Sequence, residues 1–99
     1  MCKYILTKKA VNDLTGIWNY TFDTWSENQA DKYYEQLLSF SDLLSKNPNR
    51  GKSYNYLIIG LKGSQINKHI VFYRTIADNV IEIERILHER MDLKTRLEK

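Results

Sequence analysis

The spacing of apolar residues changes once along this 99-residue chain, and that change limits the folds open to it. From Lys8 to about Trp25, and again from Ser26 to Leu44, apolar side chains recur every three or four residues, which is typical of amphipathic helices. After Gly51 the apolar residues come in short runs rich in β-branched and aromatic side chains, which is typical of strands. The chain therefore combines helices with a β-sheet.

Local signals set the ends of the two helices. Thr7 is a plausible N-cap for the first helix, and Ser26 with Gln29 has the form of a capping box that begins the second. The second helix is expected to end at Asn47-Pro48, since the residue before a proline disfavours the helical region, and Gly51 supplies a permissive turn. Two helices of matching period joined by a short break predict an antiparallel helical hairpin.

Four segments are predicted to form strands. They are Tyr4–Thr7, Tyr56–Leu61, Lys68–Ile76 and Val80–Leu87, with turns at Lys62–Ser64 and Asp78–Asn79 separating the last three. The order β-α-α-β-β-β predicts one α+β domain over residues 1–99, in which the helical hairpin covers one face of an antiparallel sheet. A short C-terminal tail follows the last strand. We expect the other face of the sheet to be free for a site or a partner.

The turn at Asp78–Asn79 predicts the register of the last two strands. If these two residues are central to the turn, Ala77 faces Val80, His69 faces His88 and Tyr73 faces Glu84. One face then carries the core residues Ile70, Phe72, Ile76, Ile81, Ile83 and Leu87. Arg74 and Arg85 also fall on this core face, so each must lie near a sheet end, pair with a carboxylate or mark a bulge.

The opposite face would bring together four candidate catalytic residues, which are His69, Tyr73, Glu84 and His88. Imidazole, phenol and carboxylate groups are those that general acid–base cleavage of a phosphodiester would use. Half-exposed sheets also carry such polar residues without any catalytic role, so a merely solvated face remains the alternative.

We predict no metal and no cofactor. The two histidines with Glu82 and Glu84 lack a familiar ligand spacing, and the single cysteine cannot build a cysteine-rich site. No glycine-rich phosphate loop or helix-turn-helix signal is present, so direct sequence-specific nucleic-acid binding is not expected.

Charge and hydropathy limit the partners and the compartment. A net charge of +3 suits an acidic protein partner at least as well as a nucleic acid. No apolar run has the roughly 18 residues that a spanning helix needs, and no signal peptide is visible, so we expect a cytoplasmic protein without a membrane partner.

Residues along nearly the whole chain resemble one known family. In the helices they are Ala10, Asp13-Leu14, Ile17, Tyr20-Thr21, Trp25, Gln29-Ala30, Tyr33 and Leu37. Further along they are Asn47-Pro48, Arg50-Gly51, Gly60-Leu61, His69–Arg74, Ile83, Arg85–His88, Arg90–Asp92 and Leu97. This pattern, most specific from Arg85 to Asp92, is similar to that of ParE-type toxins of the RelE/ParE superfamily.

The resemblance implies the toxin of a bacterial type II toxin–antitoxin pair, with a ParD-like antitoxin as its partner. ParE-type toxins inhibit DNA gyrase without acting as enzymes, and plasmid or chromosomal loci use the pair for segregational stability. RelE-type relatives instead cleave messenger RNA in the ribosome. Here His69 stands where many RelE-like sequences have arginine, and Met91-Asp92 replaces their tyrosine-bearing ending, which favours the ParE branch.

The resemblance also suggests two sets of contact residues. The candidates for target binding are Arg74, Arg85, Arg90 and Met91, and those for antitoxin binding are Trp18, Trp25, Tyr33 and Tyr56. Two alternatives stay open: a ribosome-dependent endoribonuclease that uses the four catalytic candidates, and a module that binds its antitoxin but is no longer toxic.

Overall fold

The computed structural model describes residues 2–97 and has two long helices packed against a five-stranded mixed sheet. In chain order the elements are β1 (Lys3–Leu6), α1 (Lys8–Thr24), α2 (Glu27–Lys46), a 3-10 turn (Pro48–Arg50), β2 (Lys52–Ser53), β3 (Lys62–Ile66), β4 (His69–Ala77), β5 (Val80–His88) and α3 (Leu93–Leu97). The predicted α+β class is confirmed, and so is the helical hairpin. No helix among the described residues is both long and apolar enough to cross a bilayer.

The predicted helix caps are confirmed. The Thr7 side chain accepts a hydrogen bond from the Ala10 N–H at 3.1 Å, and the Ser26 side chain accepts one from the Gln29 N–H at 3.1 Å. Each bond satisfies an N–H group that the first turn of a helix leaves without an internal partner. The two helices are therefore bounded by the residues that the sequence indicates.

The sheet order is β1-β5-β4-β3-β2, and β1 runs parallel to β5 while the other pairs are antiparallel. The expectation of a wholly antiparallel sheet was thus wrong for its first strand. A parallel pair needs a long crossover rather than a tight turn, and the helical hairpin forms the first part of the connection from β1 to β5.

The predicted strand at Tyr56–Leu61 was also wrong, because these residues belong to a loop, and β3 instead begins at Lys62, where a turn was expected. Gly63, within β3, packs closely against Tyr54 at the base of this loop. A Cβ at this position would lie 2.7 Å from the Tyr54 ring, so the glycine makes room for a side chain that folds back over the strand.

The β4–β5 register is confirmed at both ends and shifted in the middle. Ala77 pairs with Val80 and His69 pairs with His88, as predicted. Two β-bulges lie between these ends, and they place Tyr73 opposite Ile83 rather than Glu84. A bulge reverses the alternation of side chains, so the predicted core face is divided between the two faces of the sheet.

Each face of the sheet therefore has its own core. The helices cover Val71, Tyr73, Ile81, Ile83 and Ile86, together with Ala10, Leu14, Leu37 and Leu44. The other face buries Tyr54, Leu61, Ile70, Phe72 and Leu87, against which Leu57, Leu93 and Leu97 pack. The expectation that this second face is free was wrong over the area that the β2–β3 connection and α3 cover. Ile76, which was assigned to the core, is about half exposed.

Candidate functional site

The four catalytic candidates do not form one cluster. His69 and His88 lie side by side, with ring centroids 5.5 Å apart and ring planes at 81°. Tyr73 is buried in the helix-facing core, and Glu84 binds Arg74 at 3.2 Å on the other side of the sheet. The proposed pairing of Tyr73 with Glu84 was wrong, because the bulge at Glu84 sends the two side chains to opposite faces.

The Tyr73 hydroxyl is hydrogen-bonded to two backbone groups. It donates a hydrogen bond to the Pro48 carbonyl at 2.8 Å and accepts one from the Gly51 N–H at 3.0 Å. Burial raises the pKa of this phenol, and the Gly51 hydrogen bond opposes that shift. The hydroxyl therefore ties the chain after α2 to the sheet.

His69 is held from the helical side. The Tyr33 hydroxyl lies 2.7 Å from His69 Nδ1, so a side chain of α2 orients this imidazole. Burial lowers the pKa of His69, the facing His88 lowers it further, and Glu89 opposes both effects. Burial also raises the pKa of Tyr33. The imidazole is consequently biased towards its neutral form.

We expect protonation of His69 to make the free energy of unfolding fall as the pH is lowered from about 7.5 to about 5.5. The pKa of His69 in the folded protein lies below the ordinary value of 6.5, so the unfolded chain binds more protons in this window. Its contribution is complete above the unfolded-state pKa and is lost as the pH falls through that value towards the folded-state pKa. Urea unfolding at both pH values gives the change in the free energy of unfolding between them. This change should be smaller in His69→Gln than in the unsubstituted protein. Equal differences in the two proteins would contradict this assignment.

The two histidines line a cleft of about 520 Å³ between α1 and the carboxyl end of β5. Arg85, Met91 and Tyr20 also line it, so the cleft combines cationic, imidazole and apolar groups. Among residues 2–97 no three His, Cys, Asp or Glu side chains converge as metal ligands would.

Arg85 joins three elements at one edge of the cleft. Its Nε and Nη2 atoms donate to the Asp13 carboxylate of α1 at 2.8 and 3.0 Å, and its Nη1 donates to the Arg96 carbonyl of α3 at 2.8 Å. Asp13 also accepts a hydrogen bond from the Ile86 N–H at 3.0 Å. Ile86 lies beyond Ile83, the last residue of β5 that pairs with β1. The hydrogen bonds to Asp13 raise the pKa of Arg85, and burial opposes this shift.

Arg74 and Arg85 both pair with carboxylates, which is one of the three arrangements expected for them. Arg74 reaches Glu82 at 3.7 Å as well as Glu84, on the open end of the second face. Burial raises the pKa of Glu84, and the neighbouring Glu82 raises it further, while Arg74 opposes both effects.

Sequence reasoning did not identify Asp13 as a partner of Arg85. The available signal was that Arg85 needed a carboxylate and that Asp13 borders the buried stripe of α1.

The remaining target-binding candidates, Arg90 and Met91, lie in the turn after β5 and are exposed. The Arg90 N–H donates to His88 Nδ1 at 3.1 Å, and the Met91 N–H donates to the His88 carbonyl at 3.0 Å. Met91 thus lines the cleft and Arg90 precedes it in the same turn, whereas Arg74 does not line the cleft.

Three of the four antitoxin-binding candidates lie on the helical hairpin. Trp18 stacks on Phe22 with ring centroids 5.3 Å apart and donates to Asp31 at 2.9 Å, and Trp25 is 74% exposed. Tyr33 is partly buried against the histidine pair. The fourth candidate, Tyr56, lies instead in the loop over the other face of the sheet. Sequence reasoning missed Phe22, which extends the exposed aromatic surface.

Comparison with known proteins places the whole fold in one family. The family model described as "ParE toxin of type II toxin-antitoxin system, parDE" matches residues 4–93. The chain belongs to the ParE toxin family. The resemblance noted in the sequence is therefore confirmed, and it covers both the helical hairpin and the cleft.

Relatives of this ParE family member match it over nearly their whole length. Toxin ParE of Escherichia coli is 36% identical over 97 residues, covering 98% of this chain and 94% of the relative. Toxin ParE1 of Mycobacterium tuberculosis is 32% identical over 95 residues (96% and 97% coverage), and Toxin ParE1 of Caulobacter vibrioides is 31% identical over 97 residues (98% and 99%).

A solved structure shares the fold of this ParE family member. A chain from the chromosomal ParDE toxin–antitoxin system of P. aeruginosa superposes with a TM-score of 0.75, covering 89% of this chain and 96% of that one. Its sequence identity is 20%, so this likeness concerns the fold.

Proposed function

We propose that this chain is a cytoplasmic toxin that inhibits DNA gyrase by binding it and that a ParD-like antitoxin neutralises it. The observation that carries the proposal is the match of the ParE family model over residues 4–93. The P. aeruginosa fold relative belongs to a system titled ParDE, which supports an antitoxin partner of the same type. Segregational stability of the replicon that encodes the pair would follow from this activity.

The arrangement of the catalytic candidates supports a binding mechanism. General acid–base catalysis requires its groups within hydrogen-bonding reach of one substrate. Tyr73 is buried with its hydroxyl on two backbone groups, and Glu84 faces the other side of the sheet. Only His69 and His88 stay together.

Arg90 and Met91 are our proposed contacts for gyrase. They are exposed beside the cleft and pair a cation with a flexible apolar side chain, a combination enriched at protein interfaces. Arg85, which bonds to Asp13 and to the Arg96 carbonyl, would act by holding α3 in place. Arg74 would contribute a second, partly neutralised cation.

The exposed aromatic surface of the helical hairpin is our proposed antitoxin contact. Trp18 stacks on Phe22 on α1, and Trp25 is exposed at the end of this helix. A segment that folds on binding could lay an apolar face over this area. The net charge of +3 would speed association with an acidic antitoxin.

We expect the purified toxin to block supercoiling of relaxed plasmid DNA by gyrase. Replacing Arg90 with glutamine and Met91 with serine should raise the half-inhibitory concentration by at least about tenfold, which corresponds to roughly 1.4 kcal/mol of lost binding. Lys46→Gln is the matched control, because it removes one charge from an exposed pair with Asp42 on α2. Unchanged supercoiling at micromolar toxin would refute gyrase as the target.

One observation favours a second candidate function. The histidine pair and Arg85 share a single cleft, which could hold a phosphodiester beside two acid–base groups. Transcripts cleaved on translating ribosomes by the toxin, but not by His69→Ala or His88→Ala, would establish an endoribonuclease instead. Unimpaired growth on induction of the toxin would indicate a module that only binds its antitoxin.

A further inference from the structure

The loop between β2 and β3, residues 54–61, has a defined hydrogen-bonded shape. The Tyr54 N–H donates to the Leu61 carbonyl at 2.8 Å and closes the loop at its base. At the tip, the Gly60 N–H donates to the Asn55 side-chain oxygen at 2.7 Å, and Gly60 has a φ of +83°, which a glycine adopts without strain. Tyr54 and Leu61 are buried in the second core. The loop is therefore anchored to the sheet at its base and hydrogen-bonded at its tip.

The tip of this loop presents apolar side chains to solvent. Tyr56 is 75% exposed and Ile59 is 86% exposed, and Ile58 between them is also exposed. Covering side chains of this size removes apolar surface from water, which favours association. Because the loop is already ordered, little conformational entropy would be lost when a partner covers it.

Charge is strongly segregated around the loop. The segment from Leu43 to Ala77 contains 6 of the 15 Lys and Arg residues, whereas all 12 Asp and Glu residues lie outside it. Lys52 and Lys62 flank the loop, and the Lys52 ammonium lies 5.8 Å from the Tyr54 ring centroid. In the described chain, neither lysine forms an ion pair with a carboxylate. The apolar tip therefore projects from a basic surface.

We propose that residues 54–61 dock into an apolar depression bordered by carboxylates on the protein that the toxin inhibits. The cations at the base of the loop are complementary to such a border, and the aliphatic tip fills the depression. Two of the three exposed side chains of the tip, Ile58 and Ile59, have no aromatic ring on which a base could stack, which favours a protein over a single-stranded nucleic acid. The inference rests on the proposed function in taking the chain to be an active toxin.

The placement of the loop separates it from the proposed antitoxin contact. The helical hairpin covers one face of the sheet, and residues 54–61 cover the other. An antitoxin segment bound to Trp18 and Trp25 would leave the loop exposed. Tyr56 is accordingly assigned to the target-docking surface in place of the antitoxin-binding surface.

The test compares two aspartate substitutions at exposed β-branched residues. Ile59→Asp changes the loop tip, and Val11→Asp makes the same change on the exposed side of α1. Ile59→Asp should abolish growth arrest on induction and raise the half-inhibitory concentration for gyrase supercoiling at least about tenfold. Val11→Asp should leave both unchanged. Ile59→Asp should keep the affinity for the co-purified antitoxin and the melting temperature of the unsubstituted toxin, which excludes unfolding as the cause.

The outcomes separate this inference from the gyrase proposal. Growth arrest without inhibition of gyrase would refute gyrase as the target, and loss of that arrest in Ile59→Asp would still support docking through the loop. Growth arrest by Ile59→Asp equal to that of the unsubstituted toxin would overturn the inference whatever the target. Weaker binding of Ile59→Asp and Lys52→Gln to a short DNA duplex without gyrase would identify a nucleic-acid surface and would also overturn it.

Discussion

Replacing Asp13 with alanine is expected to lower the free energy of unfolding by about 3 kcal/mol. The Asp13 and Arg85 side chains are only 14% and 19% exposed, so the substitution leaves a largely buried guanidinium without its carboxylate. It also removes the acceptor of the Ile86 N–H, on the side of β5 that β1 does not reach. A loss of this size is a large share of the stability of a small domain.

Urea unfolding of three variants would check this expectation. Asp13→Asn keeps a side-chain oxygen for the Ile86 N–H and should lose less stability than Asp13→Ala. Asp23→Ala is the matched control, because Asp23 is an exposed residue of the same helix and its removal should change stability by less than about 0.5 kcal/mol. Equal stabilities for Asp13→Ala and Asp23→Ala would contradict the role of Asp13.

The same substitution should loosen the C-terminal helix. Arg85 donates to the Arg96 carbonyl while Asp13 holds its guanidinium plane, so loss of the carboxylate frees the arginine to change rotamer. Leu93 and Leu97 then remain as the contacts of α3 with the second core. Faster hydrogen exchange of the α3 amides in Asp13→Ala than in Asp23→Ala would accompany the loss of stability.

The helical part of the fold follows from local signals in the sequence. Thr7, Ser26 and the Asn47-Pro48 step each act within one helical turn, so their effect does not depend on distant contacts. The predicted helices consequently end within a residue or two of the observed ones. The turn at Asp78–Asn79 is equally local, and Asn79 has a positive φ of 61°, as such a turn requires.

The faces of the sheet depend on contacts that no local signal encodes. The bulge at Glu84 shifts the alternation of β5, so that Ile81 and Ile83 share the helix-facing side with Tyr73, and nothing in the β4 or β5 sequence marks its position. Arg74 and Arg85 did indicate a conflict, because a regular register placed both on the core face. The two arginines are neutralised differently. Arg74 pairs with Glu82 and Glu84 of the neighbouring strand, and Arg85 pairs with Asp13 of α1.

The second core was missed for a related reason. Tyr56–Leu61 is rich enough in apolar residues to predict a strand, yet it supplies Leu57 and Leu61 to a core while exposing Tyr56 and Ile59. The β-propensity of a short segment is a weak guide, because tertiary packing decides whether its residues pair as a strand. The candidate site shifted accordingly, from an open sheet face to a cleft beside α1.

Replacing Tyr73 with phenylalanine is expected to lower the free energy of unfolding by about 2 kcal/mol. The side chain is fully buried, and the substitution leaves the Pro48 carbonyl and the Gly51 N–H without their partner. Gly51 also lies so close to the phenol that a Cβ there would clash with it, which shows how tightly the chain after α2 is fixed at this point. The loss should therefore extend to the ordering of the 3-10 turn and β2.

The Tyr73 prediction separates a structural role from a catalytic one. Tyr20→Phe is the control, because it removes the hydroxyl of a largely exposed tyrosine and should leave stability within about 0.5 kcal/mol. Urea unfolding and growth arrest are measured for both variants. A structural hydroxyl predicts that Tyr73→Phe unfolds at lower urea but still arrests growth at a temperature where it is folded. Unchanged stability with complete loss of growth arrest would instead assign the Tyr73 hydroxyl to the chemistry of an endoribonuclease.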